Sequence, residues 1–311
     1  MLSQEVFEAF AYSCICTPSA HPITDSAMAA EARPAKRARP DDDTDEAQLF
    51  RSPRVGGKVF VVTGGTQGLG EAIALLLADE GAAGVVICGR STENGARVSA
   101  ELEKRGTTKA LFVRADLGDE ADCRAVMRAA DETFGRVDGL VNCAASTQRG
   151  TWDDATVEHM DFLYRLNFRA PFILTQAAQK IMKREGKGGS IVNIGSVNGA
   201  GGISILPMYS SMKGAINTMT KNAAFAFRKD KVRVNCIAVG WMATPAEHDT
   251  MTGHHGKPED WLDAADAAHP FGRILRPRDI AKMTVHLLSD DAEMQTGSIV
   301  DIHEQFFGCW D

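Results

Sequence analysis

The chain has no apolar run near the ~18 residues that a membrane-spanning helix needs, so no membrane segment is expected. It also has no surplus of positive charge. Its 34 lysines and arginines stand against 41 aspartates and glutamates, a formal net charge of −7. Holding nucleic acid or an anionic membrane through phosphates takes clustered cation, so the balance argues against both partners except at a local patch. Cysteine is sparse: Cys14, Cys16, Cys88, Cys123, Cys143, Cys236 and Cys309 include one close pair and no set at metal-ligand spacing. They read as reduced thiols of an intracellular protein, with the cytosol as the default compartment. Glu5 and Glu8 stand where a basic leader would, so neither a secretory nor a mitochondrial signal is expected. No internal repeat and no second domain show in the pattern. What is present is a 44% apolar fraction over 311 residues, enough to bury a substantial core.

Residues 1–53 stand apart from the rest. They carry the basic Lys36, Arg37 and Arg39, then an acidic run over 41–46, with little apolar periodicity. Such a segment cannot offset its ordering entropy by burial, and a disordered tail is expected. The basic cluster also matches a nuclear import signal or a nucleic-acid patch, which leaves the nucleus open as a compartment. The neighbouring acids cancel much of its field, favouring a solvated extension.

From Lys58 onward the pattern alternates. Apolar β-branched runs at 59–62, 85–88, 110–113, 140–141, 190–194, 232–238 and 298–301 read as strands. Helical stretches are expected at 72–77, 93–104, 120–134, 153–183, 208–227 and 278–288, with a loop region over 239–276. This order predicts an α/β fold over 54–311: one doubly wound, Rossmann-type domain with a parallel sheet of about seven strands and helices on both faces. In such sheets ligands bind beyond the carboxyl ends of the strands.

Chemistry-bearing residues cluster at those ends. Directly after the first strand comes Thr63-Gly64-Gly65-Thr66-Gln67-Gly68-Leu69-Gly70, a glycine turn opening a helix. Unpaired amides at a helix N-terminus attract phosphate, and glycines let a pyrophosphate approach the backbone. Tyr209 and Lys213 are four residues apart in a helical stretch and share one face, where an ammonium beside a phenol favours its ionised form. Ser196 lies thirteen residues before Tyr209, after the fifth strand. A hydroxyl there can hydrogen-bond a carbonyl oxygen that gains charge as hydride arrives, while a phenol hands over its proton.

In this order, glycine turn, Asn142, Asn167, Ser196, Tyr209 and Lys213, the chain resembles the short-chain dehydrogenase/reductase family from Lys58 to the C-terminus. The resemblance implies catalytic roles for Asn167, Ser196, Tyr209 and Lys213, with Asn167 tied to Lys213 through water. It also implies dinucleotide contacts from Gly64, Thr66, Gln67, Gly68, Leu69 and Gly70, from Asp116 and Leu117 near the adenine, and from Asn142 and Ala144. Tyr209, Lys213, Met242 and Thr244 are implied at the nicotinamide end. Cys143 and Ala145 depart from the family's Asn-Asn-Ala-Gly segment, and Val239 stands where proline is common. By the same resemblance the protein is expected to be a homotetramer or homodimer.

After the second strand there is no carboxylate to repel a 2′-phosphate; Arg90 and Ser91 stand there instead. Arg90 is suited to pair with that phosphate, so NADP(H) is favoured, with NAD(H) as the alternative. The expected reaction is hydride transfer between NADP(H) and a carbonyl or secondary alcohol. A non-catalytic dinucleotide-sensing regulator is the reading from another class. The segment after Trp241 suits a lid over a substrate cleft. Its adjacent His254 and His255 lack metal-ligand spacing, so no metal is expected. Small alcohols, sugars, steroids, acyl ketones and quinones all stay open as substrates.

Overall fold

A computed structural model of the protein describes residues 54–303, all within one compact unit. The basic cluster expected to lie in a tail over 1–53 is outside the described residues. Seven strands form one sheet: β1 Val59–Thr63, β2 Gly84–Gly89, β3 Lys109–Arg114, β4 Gly139–Asn142, β5 Gly189–Ile194, β6 Val232–Val239 and β7 Ile299–Ile302. Their order is β3-β2-β1-β4-β5-β6-β7, with every pair parallel. The chain therefore winds outward from β1 to β3, returns to β4 beside β1, and winds out the other way. That reversal opens a crevice at the carboxyl ends of β1 and β4, where ligands bind in this topology.

The apolar strand runs follow from burial on both faces. In β1, Phe60 and Val62 point into one core with α1 (Gly68–Asp79) and α9 (Pro277–Leu288), while Val61 points into the other. The first core adds Val98 and Leu102 of α2 (Thr92–Glu103). The second packs Val126 and Met127 of α3 (Glu120–Phe134) with Ile173, Leu174 and Ile181 of α5 (Ala170–Glu185). Each large side chain so buried contributes about 1.5–3 kcal/mol. The sheet floor under the crevice is thus rigid.

Two expectations needed refinement. The helical stretch over 153–183 starts later, as α4 (Val157–Tyr164), and passes through a π turn at Arg165–Arg169 before α5. Pro171 is the cause: it has no N–H for the Asn167 carbonyl four residues back, and its ring crowds that carbonyl. The region over 239–276, expected as loop, holds α7 (Pro245–Asp249), a π turn at Thr250–His254 and α8 (Trp261–Ala268). The signal was Thr244 as N-cap with Pro245 in the first turn. It was masked because these helices are short and largely solvated. The remaining helix, α6 (Pro207–Phe227), lies against β6 and carries Tyr209 and Lys213.

Candidate active site

The glycine turn is shaped by close approach. Gly64 has φ 64°, and a Cβ there would sit 3.0 Å from the Ala144 Cα on the facing loop. A Cβ on Gly70 would come within 2.2 Å of the Gly64 carbonyl oxygen, so the first turn of α1 packs directly on the loop backbone. No side chain caps α1 at Gln67, and its first amides face the crevice with the helix dipole behind them.

A cleft of about 360 Å³ runs along this turn. Gly64, Thr66, Gln67, Gly68, Leu69 and Gly70 line it, joined by Arg90 after β2, Asp116 and Leu117 after β3, Ala144 after β4, and Thr244. Arg90 is exposed and makes no hydrogen bond or ion pair among the described residues. The neighbouring cation Arg97 is already neutralised by Glu71, with both nitrogen–oxygen distances 2.7 Å. Asp116 turns one carboxylate oxygen back to the Gly118 amide at 2.9 Å. Ser91 caps α2 by accepting from the Asn94 amide at 3.2 Å.

Asn142 is placed differently from a lining residue. It is buried, and its amide donates to Thr175 at 3.1 Å and to Asn193 at 2.8 Å. Asn193 in turn donates to the Thr220 hydroxyl at 2.9 Å, which donates to the Ile216 carbonyl. This chain crosses β4 and β5 and ends on α6, so it sets where α6 sits. Thr63 ties the same strand ends: its hydroxyl accepts from the Cys143 and Ala144 amides at 2.9 and 3.0 Å and donates to the Val141 carbonyl at 3.2 Å. Neither Asn193 nor Thr63 was assigned a role from sequence. A lone asparagine in the buried run 190–194 was a usable signal, since a buried amide must find partners.

At the carboxyl end of β5, Lys213 is buried and its Nζ donates to the Ile194 carbonyl at 2.6 Å. The same Nζ lies 5.5 Å from the centroid of the Tyr209 ring. The Tyr209 hydroxyl has no hydrogen-bond partner among the described residues. Ser196 Oγ accepts from the Asn198 amide at 3.2 Å and so caps a single helical turn, Val197–Gly199. Its own O–H is left to donate. Ser196 thus follows the end of β5, Lys213 is bonded to that same strand end, and Tyr209 lies one helical turn before Lys213.

Asn167 holds a loop. Its side chain accepts from the Ser146 amide and donates to the Ser146 carbonyl, both at 2.9 Å. The side chain is thus occupied by the segment after β4 and not by Lys213. Thr244 accepts from the Glu247 amide at 3.1 Å, capping α7, with its side chain beside Gly68. Met242 forms a bridge with Leu275 that uses the flanking Ala243 amide and Trp241 carbonyl. The Cys143 thiol, at the cleft wall, is pushed up to about 12 by burial, with the charge of Lys213 pulling weakly the other way. Among the described residues no group of three or more His, Cys, Asp or Glu is placed to hold a metal.

A family model described as enoyl-(acyl carrier protein) reductase matches residues 64–303. The NADP-dependent (R)-specific alcohol dehydrogenase of Lentilactobacillus kefiri is 36% identical over 247 residues, covering 79% of this chain and 94% of that protein. The chain belongs to the short-chain dehydrogenase/reductase family. Levodione reductase of Leifsonia aquatica is 32% identical over 253 residues, 80% of this chain and 94% of its own. Among solved structures, L-sorbose reductase from Gluconobacter frateurii, complexed with NADPH and L-sorbose, superposes with a TM-score of 0.77 at 28% identity, covering 83% of this chain and all of that one. The chain is accordingly an oxidoreductase of the family, acting on CH–OH groups and the corresponding carbonyls, and no helix among the described residues is long and apolar enough to cross a membrane.

Proposed function

We propose that the protein is an NADP(H)-dependent alcohol dehydrogenase or carbonyl reductase in which Tyr209 is the proton donor and acceptor. The observation that carries this is a buried Lys213 locked to the Ile194 carbonyl, with the unpartnered Tyr209 hydroxyl one turn before it and the free O–H of Ser196 after the same strand. The residues present fit a dinucleotide: Gly64 and Gly70, where a Cβ would strike backbone, let the turn pack tightly at the start of α1, and the uncapped amides there border the open cleft. When bound, the nicotinamide supplies or takes up the hydride.

The protein's own part is proton transfer and charge stabilisation. In reduction, Ser196 donates a hydrogen bond to the carbonyl oxygen, and Tyr209 gives that oxygen its proton as it becomes an alkoxide. In oxidation the phenolate takes the alcohol proton, and the Lys213 ammonium stabilises the charge. Asn167 acts on this set by fixing Ser146, and Pro171 leaves its main-chain carbonyl without the helical N–H four residues on. Gly64, Thr66, Gln67, Gly68, Leu69, Gly70, Ala144, Met242 and Thr244 hold the cofactor, with Asp116 and Leu117 at its adenine end. Asn142 supports the floor from within.

NADP(H) is preferred to NAD(H) because Arg90 is uncommitted at the β2 end and no carboxylate opposes a 2′-phosphate there. The named relatives that use NADP or NADPH agree with this choice. A second copy of the chain is the expected partner, seated on the exposed Val157, Met160 and Tyr164 of α4, Phe172 of α5 and Phe225 of α6. Tyr209→Phe tests the reaction: cofactor binding should persist while turnover falls by about 10²–10⁴-fold, the range of general acid–base catalysis. Turnover within tenfold of the unmodified enzyme would remove Tyr209 from the mechanism. Cofactor binding by the unmodified protein with no turnover across a broad carbonyl and alcohol panel would favour the dinucleotide sensor. Arg90→Ala should lose the preference for NADP(H) over NAD(H); an unchanged preference would reject that assignment.

A further inference from the structure

Arg149, Glu247 and Trp241 form a cluster that the proton relay and the dinucleotide cleft leave unused. Arg149 lies on the loop after β4, the loop whose Ser146 is clamped by Asn167. The next residue, Gly150, donates to the Ile205 carbonyl at 3.1 Å and so ties this loop to the segment leading into Tyr209. Glu247 lies on α7, whose N-cap is Thr244, at the wall of the nucleotide cleft. The cluster therefore joins the loop after β4, tied to the segment before Tyr209, to the helix that begins at the cleft-lining Thr244.

Its geometry is unfinished. The Arg149 and Glu247 side chains are 18% and 16% exposed, yet Nη2 and Oε1 stand 3.8 Å apart. Other arginine–carboxylate pairs of this protein close to hydrogen-bond length, 2.7 Å for Arg97–Glu71 and 2.6 Å for Arg273–Asp279. A guanidinium has five N–H donors. Here Nη1 donates to the Thr147 carbonyl at 2.9 Å, and Nε is buried without an acceptor among the described residues. Glu247 Oε1 accepts from the Trp241 indole at 2.9 Å, and Oε2 has no partner. Nη2 and Oε2 are not among the buried unpartnered atoms, so both stay open to a third group placed between the two side chains.

A hydroxyl is the group that both accepts from a guanidinium and donates to a carboxylate. The aromatic wall beside it is Trp241, stacked at 5.6 Å on the buried Trp261 and itself 40% exposed. Arg149 and Glu247 cancel in charge, and the lid beyond them holds Asp249, Asp260 and Asp263 against Lys257, while Glu259 faces His248 and Asp266 is paired with Arg276. An anionic substrate would meet this excess of carboxylate. We propose that Arg149, Glu247 and Trp241 determine specificity for a neutral polyhydroxylated alcohol or ketone, with one substrate hydroxyl between Arg149 and Glu247 and the substrate's C–H face on Trp241. The inference rests on the reading of the protein as an alcohol dehydrogenase.

Three acyclic six-carbon alcohols with NADP⁺ test it: a hexitol (D-mannitol and D-sorbitol in turn), 2-hexanol and 5-hydroxyhexanoate. The hexitol should exceed both others in kcat/KM by about tenfold or more, the discrimination a site with polar partners achieves. Arg149→Met should lower hexitol kcat/KM by about 10- to 100-fold, chiefly through KM, and leave 2-hexanol within about twofold, as expected for a lost substrate hydrogen bond. Glu247→Gln, which keeps an acceptor, should fall between. Preference for 2-hexanol or 5-hydroxyhexanoate would overturn the substrate class. Equal losses on all three, with a lowered melting temperature, would make the cluster a structural ion pair bridged by water. Bound NADP⁺ with no turnover of any of the three would also overturn it, while leaving the Tyr209→Phe comparison on other alcohols to decide the reaction.

Discussion

Thr63→Val removes one oxygen from a fully packed site and keeps the shape. Thr63 is 1% exposed, and its hydroxyl serves two amides and one carbonyl of the loop leaving β4. Each buried polar group left without a partner costs about 1–3 kcal/mol, and the cleft admits some water to the Cys143 and Ala144 amides, so the total should be about 2–4 kcal/mol. For a domain of this size that corresponds to a fall in melting temperature of roughly 4–16 °C. The same loop presents Ala144 against Gly64, so a loosened loop disturbs the glycine turn and should weaken nicotinamide-cofactor binding by about tenfold, or ~1.4 kcal/mol. Thr63→Ser keeps the oxygen and loses one methyl, costing about 0.8 kcal/mol. Thermal unfolding and cofactor titration of the two variants side by side make the comparison. If Thr63→Val melts within two degrees of Thr63→Ser and binds cofactor equally well, the hydroxyl does not hold the loop and the argument fails.

Desolvation pushes the Cys143 thiol up to about 12, so this residue, half-buried at the cleft wall, stays protonated through pH 8 and reacts slowly. A maleimide reagent should therefore label Cys143 only slowly in the native enzyme; rapid labelling at that position, read by peptide mass, would contradict the packing around it. The Arg276 guanidinium beside Asp266 holds that carboxyl below the usual aspartate range, and the Ile274 amide adds a bond at 2.9 Å. A depressed carboxyl stabilises the fold above its unfolded pKa, near pH ~4, and that contribution disappears as pH falls through the lower folded value. Asp266→Asn should lower the melting temperature at pH 7 and flatten its decline between pH 5 and 3. A decline as steep as in the unmodified protein would place the acid sensitivity elsewhere. Asp279 beside Arg273 is held low in the same way and should account for part of the slope that survives.

The alternating elements and the parallel sheet were legible because burial on both faces demands continuous apolar runs, and Phe60, Val61 and Val62 show that demand in three adjacent residues. The short helices after Trp241 were not, because a single turn capped by Thr244 has too little periodicity to stand out from loop. The resemblance implied a relay role for Asn167; in the fold its side-chain amide clamps Ser146. The π turn that carries it was written in the chain as Pro171. Asn142 behaved likewise: its type and place were readable, its partners Thr175 and Asn193 were not.

What the sequence alone determined is local in origin: the glycine turn between a strand and a helix, and Tyr209 one turn from Lys213. Turn geometry and helical periodicity act over a few residues, so they can be read from spacing. What only the tertiary structure decided is pairing between distant segments. Lys213 found the carbonyl of Ile194 nineteen positions earlier, Thr63 found the amides of Cys143 and Ala144, and Arg149 came to face Glu247 across an unclosed gap. Those partners depend on which strands lie side by side and where their ends stop. The order β3-β2-β1-β4-β5-β6-β7 brings them together, and no spacing along the chain records it.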